Sequence, residues 1–265
     1  MSWSFDIASR PLLARAEALH ALPWLRHGFA LRDGRAPDGF NLSFTTASDP
    51  YQVRANRAAV CTLLGFAPEA LTLPTMPHSA AVARVGPAER GRGGMDRTSA
   101  VPGCDALITN TPDLLLGVTA ADCLSVFLVD PVHRAIGLAH SGWRGTAGRI
   151  VPNTLNAMTA AFGTRPQECF AAIGPGIGGP GYEVDAPVYN AFSESPDTGI
   201  FTPTAPGRRF LDLTAAVQQQ LLTCGVPAEG LSISPWRTDT DTVLCHSHRL
   251  RPGCPRMGAF LGVAS

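Results

Sequence analysis

The chain contains no lysine: all 21 of its basic residues are arginine. A Schiff-base enzyme needs a lysine amine, and the phosphate-binding P-loop needs the lysine of its G-K-[ST] motif. Both classes of protein are therefore excluded. Any phosphate that this protein recognises must be held by arginine, by backbone N–H groups or by a metal ion, and the planar fork of donors in arginine suits that task.

Other common features are missing as well. The 21 acidic residues balance the basic ones and no basic run is present, so nucleic acid is not expected as a partner. The start of the chain lacks a continuous apolar segment of the signal-peptide or membrane-spanning type. The seven cysteines are scattered and form no C-x-x-C pair, which argues against a disulfide framework or a zinc finger. We therefore expect a cytoplasmic protein without a membrane partner.

Composition and pattern predict one compact domain over residues 1–265. Hydrophobic residues make up 45% of the chain and charged residues only 16%, so a sizeable core can be buried. Helical patterns cover residues 11–22, 50–65, 146–163 and 214–224. Short β-prone runs cover residues 105–109, 115–119, 124–130, 135–140, 169–173, 231–234, 242–246 and 259–263. This mixture predicts an α/β (mixed α+β) fold, in which a mixed β-sheet with a central antiparallel hairpin is covered by helices.

The predicted hairpin carries a cysteine at its start and a histidine at its end. Its two strands are joined by an Asp-Pro turn. If Asp130 pairs with Ala135, then Cys123 and His140 lie opposite each other to within about one residue. Directly paired side chains have Cβ atoms roughly 4.5–5.5 Å apart. That separation suits two ligands of one metal ion, or a thiolate and its base.

A glycine-rich stretch, Ser141-Gly142-Trp143-Arg144-Gly145-Thr146, follows the hairpin and leads into the helix predicted to end at Gly163. Free N–H groups and the helix dipole make such a helix start an anion site. We therefore expect Arg144, Gly145 and Thr146 to bind phosphate or a carboxylate. Taken one at a time, Cys123 can be an ordinary buried cysteine, His140 a histidine hydrogen-bonded in the core, and the glycine-rich stretch an ordinary turn. Their occurrence together favours a functional site.

The segments T-A-A-D-C, ending at Cys123, and A-H-S-G-W-R-G-T, beginning at Ala139, resemble the signature of the laccase-domain, or polyphenol-oxidase-type, family. Further matching segments lie in order along nearly the whole chain: Asn41-Leu42-Ser43, Asn56-Arg57, His78, residues 173–184, Leu211-Asp212-Leu213 and Ser247-His248-Arg249. Members of this family are regarded as purine nucleoside phosphorylases that also act on methylthioadenosine and deaminate adenosine. Some bacterial members are called peptidoglycan-editing factors. The resemblance implies a similar fold and similar reactions with purine nucleosides and phosphate.

The resemblance also implies a set of metal ligands. The histidine, cysteine and histidine that hold zinc in the family correspond to His78, Cys123 and His140, which leaves one position open for water or substrate. Copper is the alternative metal. One departure concerns the first ligand, because this chain has Met76-Pro77-His78-Ser79 where the family has Gln-Val-His-Gly.

Further residues are implied as contacts of the substrate or of the metal ligands. Arg57, which we count with the three ligands as catalytic, is expected to hold phosphate or ribose together with Arg144 and Ser43. Asp122 is expected to orient a metal ligand, since the residues behind such ligands commonly fix their direction. The remaining expected pocket residues are Asn41, Gly145, Thr146, Ser247 and Arg249.

Three alternatives remain open at this stage. Cys123 can instead be a nucleophile with His140 as its base, which would make the protein a metal-free hydrolase or amidase. A metal-binding accessory protein in peptidoglycan editing is the second. A copper-dependent polyphenol oxidase is the third, although multicopper sites need many more paired histidines than the seven scattered ones present here. Measuring the metal content distinguishes the metal-free hydrolase from the phosphorylase. Measuring activity on nucleosides distinguishes the accessory protein from the phosphorylase.

Overall fold

The computed structural model describes residues 2–192, 199–205 and 208–265 and confirms the mixed α/β fold. The strands are β1 (Trp3–Phe5), β2 (Leu13–Ala16), β3 (Leu25–Ala30), β4 (Leu71–Thr72), β5 (Val82–Arg84), β6 (Ala106–Thr109), β7 (Leu114–Ala120), β8 (Leu124–Asp130), β9 (Ala135–Ser141), β10 (Phe170–Ile173), β11 (Glu183–Val184), β12 (Phe201–Ala205), β13 (Arg208–Leu211), β14 (Leu231–Ile233) and β15 (Met257–Val263). The helices are α1 (Pro50–Leu64), α2 (Trp143–Ala147), α3 (Ile150–Phe162), α4 (Ala186–Ala191) and α5 (Leu213–Thr223). Short 3₁₀ turns lie at Glu17–Ala21, Pro68–Ala70, Pro87–Glu89, Arg97–Ser99, Pro166–Glu168, Gly179–Gly181 and Ala228–Gly230.

Two six-stranded sheets form the centre of the described structure. The strand order is β1-β2-β3-β15-β7-β4 in the first sheet and β14-β10-β8-β9-β6-β5 in the second, while β11-β13-β12 form a smaller sheet. Most pairs are antiparallel, but β4 runs parallel to β7, β5 to β6 and β10 to β14. The predicted hairpin, β8 and β9, therefore lies in the middle of the second sheet.

The two large sheets pack face to face, and helices cover their outer faces. Phe29 and Leu116 of the first sheet share one buried cluster with Phe127 and Leu138 of the second. The other face of the second sheet packs against α3 and α5, and the other face of the first packs against α1. The resulting order of layers is helix, sheet, sheet and helices, which buries both faces of the hairpin strands.

The register of the hairpin is the one predicted, with Asp130 opposite Ala135 and Ser125 opposite His140. Alternate residues of a strand point to opposite faces. His140 has the same parity as Leu138, which faces the first sheet, and Cys123 has the same parity as its neighbour Ser125. Pairing and alternation together therefore bring Cys123 and His140 to one end and one face of the sheet.

Helix α1 begins and ends at the residues that mark it in the sequence. The Asp49 carboxylate accepts a hydrogen bond from the backbone N–H of Tyr51 at 2.8 Å, and Pro50 occupies the first turn. Gly65 ends the helix at a φ of 80°, a left-handed conformation that glycine adopts without steric cost. The helix predicted over residues 50–65 is confirmed.

Three predicted elements differ in the structure. Residues 11–22 form β2 and a 3₁₀ turn instead of a helix, because pairing with β1 and β3 overrides the helical pattern. The helix predicted to run to Gly163 is broken after α2, where Arg149 has a left-handed φ of 67° before α3 begins. Residues 242–244 form a turn, residues 245 and 246 have no regular structure, and no strand is present there. Among the described residues, no helix has the length and apolar character that crossing a membrane requires.

Candidate active site

Three side chains that can ligate a metal converge where the hairpin strands end. The ligand atoms of His78, Cys123 and His140 all lie within 4.8 Å of one another. The two imidazole rings meet edge to face, with centroids 5.1 Å apart. His140 is buried, Cys123 is half-buried and His78 is exposed. Within the described part of the chain, this is the one group of three or more His, Cys, Asp or Glu side chains close enough to hold an ion.

Asp105, which the sequence analysis missed, connects two of these residues. Its Oδ1 accepts hydrogen bonds from Nδ1 of His140 at 2.9 Å and from the backbone N–H of His78 at 3.0 Å. Its Oδ2 accepts from the backbone N–H and the hydroxyl of Ser79, at 2.6 and 2.8 Å. An aspartate directly before an apolar β-prone run is the sequence signal that could have indicated it.

The electrostatics of the cluster favour a thiolate beside a protonated imidazole when no ion is bound. Burial alone raises the pKa of the Cys123 thiol, but His140 and His78 outweigh burial and bring that pKa down to about 6. Burial alone lowers the pKa of His140, but Cys123 and Asp105 outweigh it and raise that pKa to about 10. The cysteine is therefore ready to act as a ligand or as a nucleophile near neutral pH.

The close approach of Cys123 to the following loop requires a glycine at position 142. A Cβ atom built on Gly142 would lie 2.7 Å from Sγ of Cys123 and 3.5 Å from Cδ2 of His78. Any larger residue at this position would have to displace the sulfur atom. The glycine of the S-G-W-R segment thus makes room for the site.

The cluster forms part of the wall of a cavity of about 520 Å³, a size typical of small-molecule sites. One part of the lining is apolar and includes Leu73, Met76 and Ile177. The charged part is mostly basic and consists of Arg57, Arg97, Arg144, Arg249, Arg256, His78, His140 and His248, with Asp122 as the carboxylate. The cavity therefore suits a ligand that has both an apolar and an anionic part.

Arg57 lies in this wall, but its guanidinium is bonded to the protein. Nε and Nη2 donate to the carbonyl of Leu42 at 2.8 and 2.6 Å, and Nη1 donates to the carbonyls of Gly93 and Gly94 at 2.8 and 2.7 Å. The side chain is almost fully buried, which lowers its pKa to about 10. These contacts tie α1 to two loops and leave a single N–H for a ligand.

The guanidinium groups of Arg144 and Arg97, unlike that of Arg57, are not hydrogen-bonded to the described part of the protein. In the described ranges, neither guanidinium has a hydrogen bond or ion pair, and Arg144 instead lies over the ring of Trp143, 4.2 Å from its centroid. Arg249 lines the cavity beside Tyr182 and donates from Nη1 to the carbonyl of Glu183 at 3.0 Å. Among the arginines that line the cavity, Arg144 and Arg97 therefore have the most unused donors.

Asp122 makes contacts other than the predicted one. Its carboxylate accepts hydrogen bonds from the hydroxyl of Thr238 and from the backbone N–H of Arg249, each at 2.6 Å, and not from a histidine ligand. Its carbonyl accepts from the backbone N–H of Ile177. Asp122 thus joins three loops of the cavity wall, while Asp105 makes the contact to His140.

Of the other predicted residues, Ser43 lines the cavity, with its hydroxyl 2.7 Å from that of Thr45. The structure places four predicted residues behind the wall. The Asn41 side chain accepts from backbone N–H groups, Ser247 caps a turn, and Thr146 bonds to Ser141 and to the carbonyl of Gly142. A Cβ atom built on Gly145 would lie 3.1 Å from the carbonyl oxygen of Ser79. These four residues shape the site from behind.

The chain is similar to several known proteins. The family model described as "Multi-copper polyphenol oxidoreductase laccase" matches residues 26–264. "Purine nucleoside phosphorylase YlmD" of Geobacillus stearothermophilus is 34% identical over 226 residues, covering 84% of this chain and 82% of the relative. "Adenosine deaminase RL5" from an unknown prokaryotic organism is 33% identical over 204 residues, covering 75% and 77%. The crystal structure of YlmD from G. stearothermophilus matches with a TM-score of 0.89 and 32% identity, covering 98% of this chain and 99% of that one.

The chain therefore belongs to this laccase-like family, and its fold is that of the YlmD structure. The relatives carry enzyme names, and the expectation that the chain is an enzyme is confirmed.

Proposed function

We propose that the chain is a zinc-dependent purine nucleoside phosphorylase, acting as one domain over residues 1–265 in the cytoplasm. Its substrates are adenosine, inosine or methylthioadenosine, together with phosphate. The observation that carries the proposal is the convergence of His78, Cys123 and His140 on the wall of a cavity lined by arginine. The names of the relatives support the same reaction.

The three ligand residues fit zinc in their chemistry. One thiolate and two imidazoles form a donor set that zinc prefers, and three protein ligands leave a position open as in catalytic sites. The hydrogen bond from His140 to Asp105 adds the carboxylate that commonly stands behind a zinc-bound histidine. When bound, zinc supplies Lewis-acid polarisation of an oxygen or nitrogen atom. Copper binds the same types of ligand, so zinc as the native metal is itself part of the proposal.

Different side chains of the cavity bind the phosphate and the base during phosphorolysis. A phosphate oxygen forms a bond to C1′ of the ribose, the C1′–N9 bond breaks, and its electron pair and a proton go to the purine. Arg144 and Arg97 hold the phosphate, because their donors are not used by the protein. The apolar wall at Leu73, Met76 and Ile177 receives the base. Charge that develops as the base leaves is stabilised by the fixed polar groups of the site.

The proposal is tested by product analysis with adenosine, inosine and methylthioadenosine, each with and without phosphate. We expect free base and ribose 1-phosphate, at a rate that saturates with phosphate, and little base when water is the only nucleophile. A chelator should abolish turnover and added zinc should restore it. Turnover that is indifferent to chelators and to phosphate would favour the metal-free hydrolase, for which Asp105, His140 and Cys123 offer a triad-like arrangement.

Deamination of adenosine is a second candidate activity, favoured by the similarity to a relative named as an adenosine deaminase. The zinc nucleoside deaminases of another fold use H-x-E and P-C-x-x-C motifs, and neither is present in this sequence. Deamination here would use the His78, Cys123 and His140 site. Conversion of adenosine to inosine in phosphate-free buffer would demonstrate it. A physiological role in peptidoglycan editing stays a prediction.

A further inference from the structure

We propose that Asp105 is the positioning residue of this site, and that its carboxylate holds two of the three ligand residues in the arrangement that binds metal. The inference rests on the proposed metal site. Asp105 is fully buried and is not part of the cavity lining, so it acts through its neighbours and not on the substrate.

The first action of Asp105 is on the imidazole of His140. Because an ionised carboxylate can only accept hydrogen bonds, Nδ1 of His140 must carry the proton in their 2.9 Å contact. The other ring nitrogen, Nε2, is then the one that can give up its proton and offer a lone pair to a metal. The backbone adds to this alignment, since the N–H of His140 donates to the carbonyl of Asp105 at 2.8 Å. Asp105 therefore fixes both the tautomer and the direction of the ring.

The second action is on the loop that carries His78. The same carboxylate accepts the backbone N–H groups of His78 and Ser79 and the Ser79 hydroxyl. His78 has a left-handed φ of 65°, a conformation that costs energy in a residue other than glycine and persists when its surroundings enforce it. Two consecutive N–H groups bonded to one carboxylate provide that enforcement. Residues 78, 105 and 140 are thus coupled although they are distant in sequence.

The substitution Asp105→Asn keeps the size of the side chain and disturbs this arrangement. The asparagine amide offers one accepting oxygen and one donating NH2 group. If the NH2 group faces His140, the imidazole must accept there and carry its proton on Nε2, which blocks ligation. If the NH2 group faces Ser79, it meets the Ser79 backbone N–H donor to donor, so the loop carrying His78 loses that hydrogen bond and keeps the one from the His78 N–H. Either orientation weakens the site.

A matched control lies at the other end of the same hairpin. Asp130 is a fully buried carboxylate whose Oδ2 is 2.8 Å from Nδ1 of His133, and its Oδ1 accepts the backbone N–H groups of Val132 and His133. It does not line the cavity. Asp130→Asn therefore disrupts the same kind of aspartate–histidine pair away from the proposed metal ligands.

The experiment measures the affinity for Zn²⁺ of the wild-type protein, Asp105→Asn and Asp130→Asn by competition with a chromophoric chelator. Absorption spectra of the Co²⁺-substituted proteins report the ligand geometry independently of activity. We expect Asp105→Asn to bind Zn²⁺ roughly 10- to 100-fold more weakly and to change the cobalt spectrum. We expect Asp130→Asn to lose thermal stability and to match the wild type in both metal measurements.

Equal Zn²⁺ affinity and equal cobalt spectra in Asp105→Asn and Asp130→Asn would overturn the inference. If Asp105→Asn does not fold, nitrogen-15 NMR of the wild-type protein decides, because a His140 ring protonated on Nε2 alone would also overturn it. Zn²⁺ binding in the wild type without phosphorolysis would refute the proposed reaction and leave the role of Asp105 intact. Absence of Zn²⁺ binding in the wild type would refute both.

Discussion

Replacing Arg57 with methionine separates a structural role of this arginine from the phosphate-binding role that the sequence predicts. The guanidinium donates four hydrogen bonds to the carbonyl oxygens of Leu42, Gly93 and Gly94, and all three residues are buried. Methionine approximates the apolar stem of the side chain but provides no donor. The three carbonyl oxygens would then be buried without a partner.

The expected loss of stability follows from these contacts. An unsatisfied buried polar group costs about 1–3 kcal/mol. Part of this loss of stability is offset. Burying the charged guanidinium on folding costs free energy, which is why burial lowers the pKa of Arg57, and methionine does not carry that cost. We therefore expect the free energy of unfolding to fall by about 3–5 kcal/mol, as when one partner of a buried charged contact is removed. For a chain of this size, Tm should fall by roughly 6–20 °C.

Arg144→Ala is the matched comparison, because this side chain is exposed, lies over the ring of Trp143 and has no hydrogen bond or ion pair to the described residues. We expect its Tm to stay close to that of the wild type. Loss of a charged hydrogen bond worth about 1.5–3 kcal/mol should raise the KM for phosphate roughly 10- to 150-fold. Thermal unfolding and initial rates at varied phosphate, measured well below each Tm, give both quantities. The reasoning fails if Arg57→Met keeps the wild-type Tm and shows the larger rise in KM.

Three further predictions test other parts of the site and the fold. Gly142→Ala should lower the zinc content, because the added Cβ would lie 2.7 Å from Sγ of Cys123, whereas Gly34→Ala, with open space around the new atom, should not. Alkylation of Cys123 should be slow in zinc-loaded protein and fast after chelation, since its pKa is lowered to about 6, while Cys61, whose pKa burial raises to about 12, should stay unreactive. Equal rates with and without zinc would count against the metal site. Burial lowers the pKa of His27 to about 3, so its contribution to stability is complete above the ordinary value of 6.5 and is lost as pH falls below it. Between pH 7 and pH 5 the wild type should therefore lose about 2 kcal/mol more than His27→Gln in urea unfolding.

The hairpin could be predicted from sequence because everything that determines it is local. Two β-prone runs and a turn fix the pairing of Asp130 with Ala135, and strand alternation then places Cys123 and His140 on one face. Helix α1 is a similar case, since a cap, a proline and a terminal glycine mark its ends. In residues 11–22 the local pattern favoured a helix, but pairing with the strands before and after this segment, β1 and β3, produced a strand instead.

The partners of charged side chains could not be predicted in the same way. The sequence shows that Arg57 and Asp122 are charged, but not that Arg57 meets the carbonyls of a loop about 36 residues away. Asp122 bonds to Thr238, which is 116 residues away. Residue type indicates which contacts are chemically possible. Long-range strand order and loop packing decide which of them form, and these leave no periodic signal in the chain.

The position of Asp105 beside His140 follows from one further strand pairing, that of β6 with β9. The antiparallel pairing of β6 with β9 sets Ala106 opposite Ala139, so the same register places Asp105 opposite His140. Alternation gives Asp105 the same parity as Leu107, which packs between the sheets, and so the same face as His140 and Cys123. A shift of one residue in this register would turn the carboxylate away from the imidazole and towards the helices. The orientation of the histidine ligand therefore depends on the register of β6 and β9 as much as on the presence of an aspartate.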